Sequence, residues 1–473
     1  MFNKKSNDAL LAGIRQGKTL THNEMLSLIV GLSIPSILAQ VTNVLMFYID
    51  AAMVGKLGAT ASASIGLVES ATWLFGGLCS AVSLGFSVQV AHFIGANDFV
   101  KARQVMRHAL VATLAFSVLV TLCASLIAFR LPSWLRGGDD IAHDASLYFL
   151  IYALSVPFLQ LGILSSNMLK SAGNMQIPSI MSVLMCVLDV CFNYLFIYVA
   201  GLGVPGAALG TVLSIAIVAS VEAWFALFRS SILALRLDKE RFVWMWSYVR
   251  NAVKISAPIA AQYVLMSGAQ IVSTYIVAPL GNFAIAANTF AITAESLCYM
   301  PGYGIGDAAT TLVGQSMGAG QYGLCRSFAK LTVGMGMAVM ALMGVVMYVF
   351  APEMIGLMTP VEEIRDLGTQ VLRIEAFAEP MFAAAIVGNC VCVGAGDTLK
   401  PSLMNLASMW GVRLTLAAVL AHWYGLQGVW TAMAIELTFR GTLFLIRLKW
   451  GAWLRAEGGV EKNNAGGGRQ ALS

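Results

Sequence analysis

The sequence predicts an all-α polytopic membrane protein with about twelve transmembrane helices. Apolar residues make up 58% of the 473 positions and charged residues only 11%, whereas a soluble domain carries about 25% charged residues. The mean hydropathy of +0.77 therefore indicates that most of the protein surface faces lipid. Long apolar runs such as 181–199 and 331–350 are continuous, while the strands of a membrane barrel alternate apolar and polar residues. Together these features exclude an ordinary cytosolic enzyme, a disordered regulator and a nucleic-acid-binding module.

The number of helices follows from the length of the apolar region. Between polar segments at the two ends lie about 425 residues, and a span of roughly 20 residues with its loop uses about 35. Apolar runs separated by polar or Gly-rich loops then give the individual spans. The expected spans are 26–52, 61–90, 108–130, 145–167, 179–200, 206–228, 254–278, 285–313, 329–350, 367–392, 402–421 and 428–448.

The loop charges predict the orientation. Lys and Arg prefer the cytoplasmic side of short loops. If the loops alternate from a cytoplasmic N-terminus, inside loops carry most of these residues, for example Lys101, Arg103 and Arg229, and outside loops carry few, such as Lys56 and Arg130. Both termini are therefore expected in the cytoplasm. The first apolar run is too long for a cleavable signal peptide, so we expect a multi-pass protein of a bacterial inner membrane.

The chain divides into two similar halves. The longest basic connection, 229–254, lies near the middle, and the halves match at a separation of 223 residues. Ala-Gly-Asn at 172–174, for example, lies opposite Ala-Gly-Asp at 395–397. Two six-helix halves share one orientation, so we expect parallel repeats, which are common in secondary transporters. The prolines that coincide are Pro35 with Pro258, Pro157 with Pro380 and Pro178 with Pro401. The expected segments are a cytoplasmic N-terminus (1–24), an N-lobe (25–235), a C-lobe (236–450) and a disordered cytoplasmic tail (451–473).

Ionisable residues inside the spans are the first functional candidates, because charge in lipid is costly. Acids outnumber bases among them, and an acidic interior favours a cationic cargo or coupling cation. Glu436 and Arg440 are four residues apart on one helix and should pair. The helix after Glu295 should bend at 300–302, where Pro301 lies. Candidates for the cavity or the substrate site are Gln40, Glu69, Glu295, Glu375, Glu379 and Arg413.

The most specific cluster lies in the first half. Asn43 and Asp50 are seven residues apart on one stripe of the first span, and Asp189 and Asn193 share a face of the fifth. Thr211 lies on the sixth span. Carboxylate, amide and hydroxyl oxygens suit Na⁺, or a carboxyl group that holds a proton. Asp50, Asp189 and Asn193 are thus candidate Na⁺ ligands; alternatively, these side chains only join helices by hydrogen bonds.

Motifs for other chemistry are weak. The run at 318–323 matches GxGxxG by letter but follows a membrane span and not a strand, so it does not indicate a nucleotide site. The sequence contains no HExxH, CxxC or Walker A pattern. We therefore expect no enzyme activity, no nucleotide and no cofactor apart from a coupling ion.

Several motifs in order resemble the multidrug and toxic compound extrusion (MATE) family. They are Pro35 followed by Asp50-x-x-x-Val-Gly-x-Leu-Gly, Gly-Ala loops at 95 and 318, Leu-Val-Gly-Gln at 312–315, and Gly-Ala-Gly-Asp-Thr at 394–398 with Pro401. The resemblance covers about residues 20–450. It implies two six-helix lobes forming a V around a central cavity, and Na⁺- or H⁺-coupled antiport of cationic or amphipathic compounds by alternating access.

The resemblance also implies roles for single residues. Asp50 matches the first-helix acid of an amino-terminal cation site, Asp189 and Asn193 match its fifth-helix pair, and Thr211 its sixth-helix position. This chain departs from the family on the fifth helix, where its own residue order is Asp-x-x-x-Asn. A seventh-helix Glu of one branch is replaced near Met266, and the Arg before Gly-Ala-Gly-Asp is Val393.

Four functions remain open at this stage. The first is a cation-coupled drug antiporter, monomeric in the bilayer, that binds small organic cations or amphipathic compounds and no nucleic acid. The second is a flippase for a lipid-linked saccharide, which would need a basic cavity for pyrophosphate. An intramembrane enzyme would need a nucleophile and base or a metal set, and a passive channel would conduct without a coupling ion. The acidic interior favours the first.

Overall fold

A computed structural model describes residues 4–135, 137–237 and 242–455. Within these ranges the chain is helical and contains no β-strand. The tail 451–473 was predicted to be disordered, but its first residues form a 3₁₀-helical turn, Ala452–Arg455, in which Trp453 is buried. The tail from residue 456 onward lies outside the described residues.

Sixteen α-helices, some continued by short π- or 3₁₀-helical turns, make up the described chain. A capping box begins α2: Thr21 and Glu24 exchange hydrogen bonds, with Glu24 accepting from the Thr21 backbone and hydroxyl at 2.8 Å each. The helices are α1 Lys4–Arg15, α2 His22–Gly55, α3 Ala59–Gly95, α4 Phe99–Ile127, α5 Leu131–Trp134, α6 Asp139–Leu154, α7 Val156–Ser171, α8 Gln176–Tyr194, α9 Gly203–Trp224, α10 Trp246–Val277, α11 Asn282–Gly318, α12 Tyr322–Gly356, α13 Glu362–Ala376, α14 Glu379–Gly394, α15 Leu399–Ala407 and α16 Leu414–Trp450.

By length and composition, up to ten helical segments in the described part of the chain can cross a membrane. Eight helical segments are each long and apolar enough to cross a bilayer, and two bent pairs, α6–α7 and α13–α14, pass the same test together. The segment from α15 to α16 runs for 52 residues and contains two helices that meet at Gly425, whose φ of 58° and ψ of −137° are not helical. The 37-residue α11 is long enough to cross a bilayer, although it is not among the segments that pass the test of apolar composition. The predicted all-α fold is confirmed.

Two spans expected as single helices are broken instead. The expected helix 145–167 is α6 and α7, bent by 47°, and the expected helix 367–392 is α13 and α14, bent by 59°. A proline lies in the first turn of α7 and of α14. Proline lacks the N–H that would continue the preceding helix but fits the start of a new one. Conversely, α11 continues through Pro301 without a break, so the bend expected at 300–302 is not a helix interruption.

The backbone confirms the internal repeat. Residues 223 positions apart adopt the same left-handed conformation, which glycine, or less often asparagine, can adopt at low cost. Because these φ values sit in turns at matching places, the two halves are the same six-helix unit built twice. The matched pairs are Gly58 (φ 111°) with Gly281 (100°), Asn97 (60°) with Gly320 (70°), and Gly173 (85°) with Gly396 (83°).

Contacts within the described chain define two compact units. The N-terminal unit contains residues 31–94 and 98–268, and the C-terminal unit contains residues 4–30, 95–97 and 269–455. The division by contacts falls within α2 and α10, whereas lobe boundaries of 25–235 and 236–450 stay a prediction. In the C-terminal unit, α11 contributes a stripe of fully buried alanines, including Ala287, Ala291 and Ala294. Such small residues let helix backbones approach closely in a membrane.

The connection that precedes α10 is anchored on α4, inside the N-terminal unit. His108 is fully buried, and its Nε2 accepts a hydrogen bond from the Met245 backbone N–H at 2.8 Å. Its Nδ1 lies 2.7 Å from the Gln104 carbonyl oxygen. Since Nε2 accepts, Nδ1 must carry the hydrogen and donate. Rings of Trp244 and Tyr248 pack on the imidazole at 4.9 and 5.2 Å between centroids.

Candidate functional site

Three polar side chains meet inside the N-terminal unit. The Asn193 amide nitrogen donates one hydrogen bond to Asp50 Oδ1 and another to Asp189 Oδ2, each 3.0 Å long. Asp189 and Asn193 lie one turn apart on α8, and Asp50 lies near the end of α2. The amide therefore bridges two carboxyl groups that come from helices far apart in sequence.

The chain leaves room for this bridge by placing a glycine opposite it. A Cβ at Gly210, on α9, would lie 2.1 Å from Asn193 Oδ1 and 2.8 Å from the Asn193 backbone nitrogen. Those distances are far inside van der Waals contact, so a side chain at 210 and the present position of Asn193 exclude each other. Here the glycine serves close packing, and a left-handed backbone is not involved.

Two oxygen atoms of the cluster are free to accept a further partner. Asp189 is fully buried and Asn193 is 2% exposed, and Asp189 Oδ1 and Asn193 Oδ1 have no hydrogen-bond donor among the described residues. A buried acceptor without a donor is costly. Na⁺ prefers hard oxygen ligands, and a proton on a carboxyl oxygen would supply a donor, so these atoms fit either coupling ion.

The other predicted members of the cation site lie around this core. Thr211 is half-buried on α9 and lies beside Asp189. Asn43 is half-buried on α2, two turns before Asp50, and the described residues give it no hydrogen bond to the cluster. Gln40 is half-buried on the same helix. Glu69 is exposed on α3 and accepts a hydrogen bond from the Trp73 indole N–H at 3.3 Å.

Sequence reasoning did not select Tyr148 and Tyr152 or the glycine that accommodates the bridge. The two phenol rings stack on α6 with centroids 6.5 Å apart, and both are within electrostatic range of Asp189. Their i, i+4 spacing in an apolar run was the available signal, but tyrosine at that spacing is also ordinary in a helix core.

A second group of acids is buried in the C-terminal unit. Glu375 lies in the last turn of α13 and Glu379 begins α14, so they flank the 59° bend. Both are fully buried, and no described residue hydrogen-bonds to any of their four carboxyl oxygens. Glu295 on α11 is 6% exposed and acts electrostatically on both.

Basic residues compensate only part of this charge. Arg440 binds Glu436 through two hydrogen bonds of 2.7 and 2.8 Å, which confirms the predicted pair. Arg413 contacts the Met433 sulfur at 2.6 Å and acts on Glu295 at longer range. No group of three or more His, Cys, Asp or Glu side chains in the described part of the chain is arranged to hold a metal ion.

A cavity of about 260 Å³ lies between α10 and α11 in the same unit. Asn288 lies in its lining, and its carboxamide oxygen accepts a hydrogen bond from the Trp430 indole N–H at 2.9 Å. Uncharged hydroxyl, amide and aliphatic groups thus surround the space. The remaining lining residues are Thr274, Val277, Ala278, Ile285, Thr289, Ile292 and Thr293.

Similar proteins match nearly the whole chain in sequence. A protein of Thermotoga maritima named "Probable multidrug resistance protein NorM" is 25% identical over 432 residues, which cover 90% of this chain and 92% of that protein. A protein of the same name from Pseudomonas syringae pv. tomato is 26% identical over 442 residues, covering 89% and 94%.

Solved structures agree with the fold. A crystal structure of a MATE protein in complex with MaL6 superposes with a TM-score of 0.85 at 20% identity, covering 91% of this chain and 98% of that one. A MOP superfamily transporter from Pyrococcus furiosus, described as having a binding pocket of reverse polarity that suggests a different function, gives 0.85 at 20% identity, covering 92% and 98%.

The family model of MatE matches the chain twice, at residues 35–195 and 258–419. The two matches begin 223 residues apart, which is the separation of the repeat in sequence and backbone. Together they cover more than half of the chain, and the chain therefore belongs to the multidrug and toxic compound extrusion (MATE) family of multi-pass membrane transporters.

Proposed function

We propose that this chain is a cation-coupled antiporter that exports cationic or amphipathic compounds by alternating access, with both termini in the cytoplasm of a bacterial inner membrane. Export of drugs is supported by the names of its relatives. Coupling to Na⁺ or H⁺ is supported by one observation above all, the Asp50–Asn193–Asp189 cluster with its two unbonded buried oxygens.

The cluster suits an ion that binds and leaves. Two carboxylates side by side in a poorly hydrated site repel each other, and the Asn193 amide relieves only part of that repulsion. A Na⁺ ion between the oxygens, or a proton on one carboxyl group, would relieve the rest. Because the three residues come from two helices, occupancy of the site changes the force that holds α2 against α8. That change gives the ion a means of favouring one conformation over another.

The cargo is expected to carry positive charge or apolar surface. Glu295, Glu375 and Glu379 leave an excess of acid in the C-terminal unit, which attracts cations. The cavity beside α10 and α11 offers amide and hydroxyl groups next to aliphatic surface, which suits an amphipathic molecule. A flippase for a lipid pyrophosphate would need free buried bases. Here Arg440 is paired with Glu436, and Arg447 with Asp397. Arg413 contacts the Met433 sulfur, so a single base without an ion pair among the described residues of this group stands against three buried acids.

The test is efflux of a fluorescent organic cation from proteoliposomes under an imposed Na⁺ gradient or, separately, a proton gradient. Asp50→Asn and Asp189→Asn keep the side-chain shape and remove the charge. Asp139→Asn is the matched control, because Asp139 is an exposed acid at the start of α6.

We expect one gradient to drive efflux by the unaltered protein. Both cluster variants should lose the gradient-driven component, whereas Asp139→Asn should keep it. Efflux at the unaltered rate in both cluster variants would show that coupling does not depend on this site. Efflux that needs neither gradient would remove the antiport mechanism itself.

A further inference from the structure

The connection before α10 presents apolar side chains away from the N-terminal unit. In the non-helical stretch 242–245, the rings of Phe242 and Trp244 pack on the buried His108 with centroids 5.0 and 4.9 Å from its imidazole. Trp246 packs edge-on against Trp244 at 5.6 Å and is held in place by it. The outward side chains are Val243, Met245 and Trp246, which are 65%, 45% and 72% exposed. Exposed apolar surface beside the start of a membrane helix suits contact with lipid.

The first turns of α10 are fixed against α3 by one face. Gln89 on α3 donates from Nε2 to the Tyr248 carbonyl at 3.1 Å. A Cβ at Gly85 would lie 2.4 Å from the Ala252 carbonyl oxygen, so only a glycine permits this approach. Three exposed residues lie one turn apart on the opposite face of α10, and we call them the outer stripe: Trp246, Arg250 and Lys254.

The helix α10 is long enough to hold the outer stripe at the level of the lipid headgroups. It contains 32 residues, which correspond to about 48 Å of helix, whereas the hydrocarbon core of a bilayer is about 30 Å thick. The stripe takes up about 12 Å of this length. Aromatic rings lie at headgroup level in membrane proteins, and Lys and Arg side chains extend along apolar surface to place their charge there. The composition of the stripe therefore matches a bilayer interface.

Basic charge is concentrated around the outer stripe. Residues 229–254 contain six Lys or Arg and two Asp or Glu, whereas the equivalent residues of the first repeat, 6–31, contain two of each. Asp98, whose carboxylate acts on Tyr248, is already paired with Lys101 at 2.9 Å. The repeat equivalents of the outer stripe are Asn23, Ser27 and Gly31. The six-helix unit thus forms without an aromatic or basic residue at these places, so folding alone does not require the stripe.

We propose that residues 242–246 and the outer stripe form a binding site for an anionic phospholipid, on the side of the membrane where α10 begins. The exposed apolar side chains enter the interface, and Arg250 and Lys254 bind the phosphate group. Neither base has an ion pair among the described residues, so both are available to the lipid. A zwitterionic headgroup carries its own cation, which repels the second base. The site needs no cargo and no coupling ion, and it therefore goes beyond the proposed function.

The test is titration of the complete protein in detergent with dioleoylphosphatidylglycerol. Native mass spectrometry counts the bound lipid, and photo-crosslinking of a diazirine-labelled form of the same lipid locates it. Dioleoylphosphatidylcholine is the comparison lipid without net charge. Inorganic phosphate is the competitor that has the anionic group but no acyl chain.

Three double variants separate the contributions of charge and apolar contact. One removes both cations, and one removes apolar side chains. The matched control removes an aromatic and a basic residue that follow the other end of α4. All six side chains are exposed, so each variant is expected to fold. The variants are, in that order, Arg250→Gln with Lys254→Gln, Val243→Ser with Trp246→Ser, and Phe129→Ser with Arg130→Gln.

We expect the unaltered protein to bind phosphatidylglycerol in preference to phosphatidylcholine and to cross-link within residues 242–254. Loss of both cations should weaken phosphatidylglycerol binding about thirtyfold, because each Lys or Arg at an anionic surface contributes about fivefold in affinity. Loss of the apolar side chains should weaken binding of both lipids, and the control should match the unaltered protein.

Unchanged phosphatidylglycerol binding in the Arg250 and Lys254 variant would refute the site, as would equal affinity of the unaltered protein for the two lipids. Cross-links confined to other parts of the chain would place the lipid elsewhere and also refute it. If inorganic phosphate displaces the lipid and the Val243 and Trp246 variant binds normally, the surface takes a free anion and the lipid proposal is wrong.

Discussion

Replacing Gly210 with alanine tests whether the Asn193 bridge governs the cation site. The new Cβ would lie 2.1 Å from Asn193 Oδ1 and 2.8 Å from its backbone nitrogen. The side-chain amide can rotate away from the first contact, but its nitrogen then leaves Asp50 and Asp189. The second contact involves backbone, so α8 and α9 must also separate slightly. The substitution therefore disturbs the geometry of the site without changing any of its charges.

The size of the effect follows from overpacking. An extra methyl group in a well-packed interior costs about 1–3 kcal/mol, and 1.4 kcal/mol corresponds to about a tenfold change in a binding constant. We expect cation affinity to fall by up to roughly a hundredfold, the value reached when the whole cost falls on the ion-bound state. Gly76→Ala is the matched control, because a Cβ at Gly76 meets no atom within 4 Å. That control should be neutral or slightly stabilising, as glycine is a poor helix former.

The assay compares the two variants in proteoliposomes, with the driving cation titrated and the initial rate of cargo efflux measured. Gly210→Ala should shift the half-saturating cation concentration upward, and Gly76→Ala should not. A reduced maximal rate at an unchanged half-saturating concentration would place the defect in folding or in motion, not in the site. Equal curves for both variants would refute the view that the position of Asn193 sets cation affinity.

Three further outcomes are expected from thermal unfolding in detergent. Arg440→Leu alone should destabilise the protein by about 3–5 kcal/mol, because it leaves the buried Glu436 carboxylate without its arginine partner. Adding Glu436→Leu should restore most of this lost stability. If the two losses add instead, the reasoning is contradicted. Trp430→Phe should cost about 1 kcal/mol, the net value of its indole hydrogen bond, and an unchanged melting temperature would show that the bond contributes nothing. His108→Phe should cost about 1–3 kcal/mol of stability, because it leaves the Met245 N–H unpaired. It should also speed proteolysis of the connection before α10. Unaltered cleavage would show that His108 does not anchor this connection.

Most of the fold could be predicted because, in a lipid environment, each apolar run long enough to cross the bilayer indicates a transmembrane helix. Twelve spans follow from continuous apolar runs, and the repeat follows from prolines and glycines that recur 223 residues apart. The breaks before Pro157 and Pro380 were not predicted. The presence of a proline does not by itself indicate a break, because Pro35, Pro258 and Pro301 lie inside unbroken helices. Whether a proline breaks a helix depends on which neighbouring groups can satisfy the freed carbonyls, and that information is not local.

The part of the candidate site that lies on a single helix could be predicted from the helical repeat. Asp189 and Asn193 share a face because they are four residues apart, and rarity of charge in lipid singled out Asp50. The same reasoning selected Glu69, which is exposed on α3 and stays a prediction for the cavity. The sequence contains no measure of the depth of a residue in the membrane or of the rotation of its helix. Gly210 was not selected, since its importance depends on a residue of another helix.

The sequence by itself determined that the chain spans a membrane many times, that it is built from two like halves and that acids outnumber bases in its interior. These properties are sums over composition and spacing, so they need no knowledge of packing. Only the tertiary structure decided that one amide joins Asp50 to Asp189, that Glu375 and Glu379 lie at a bend with no hydrogen-bond partner among the described residues, and that α1 meets two equivalent turns. Those contacts join helices distant in sequence, and their geometry depends on how closely the backbones approach.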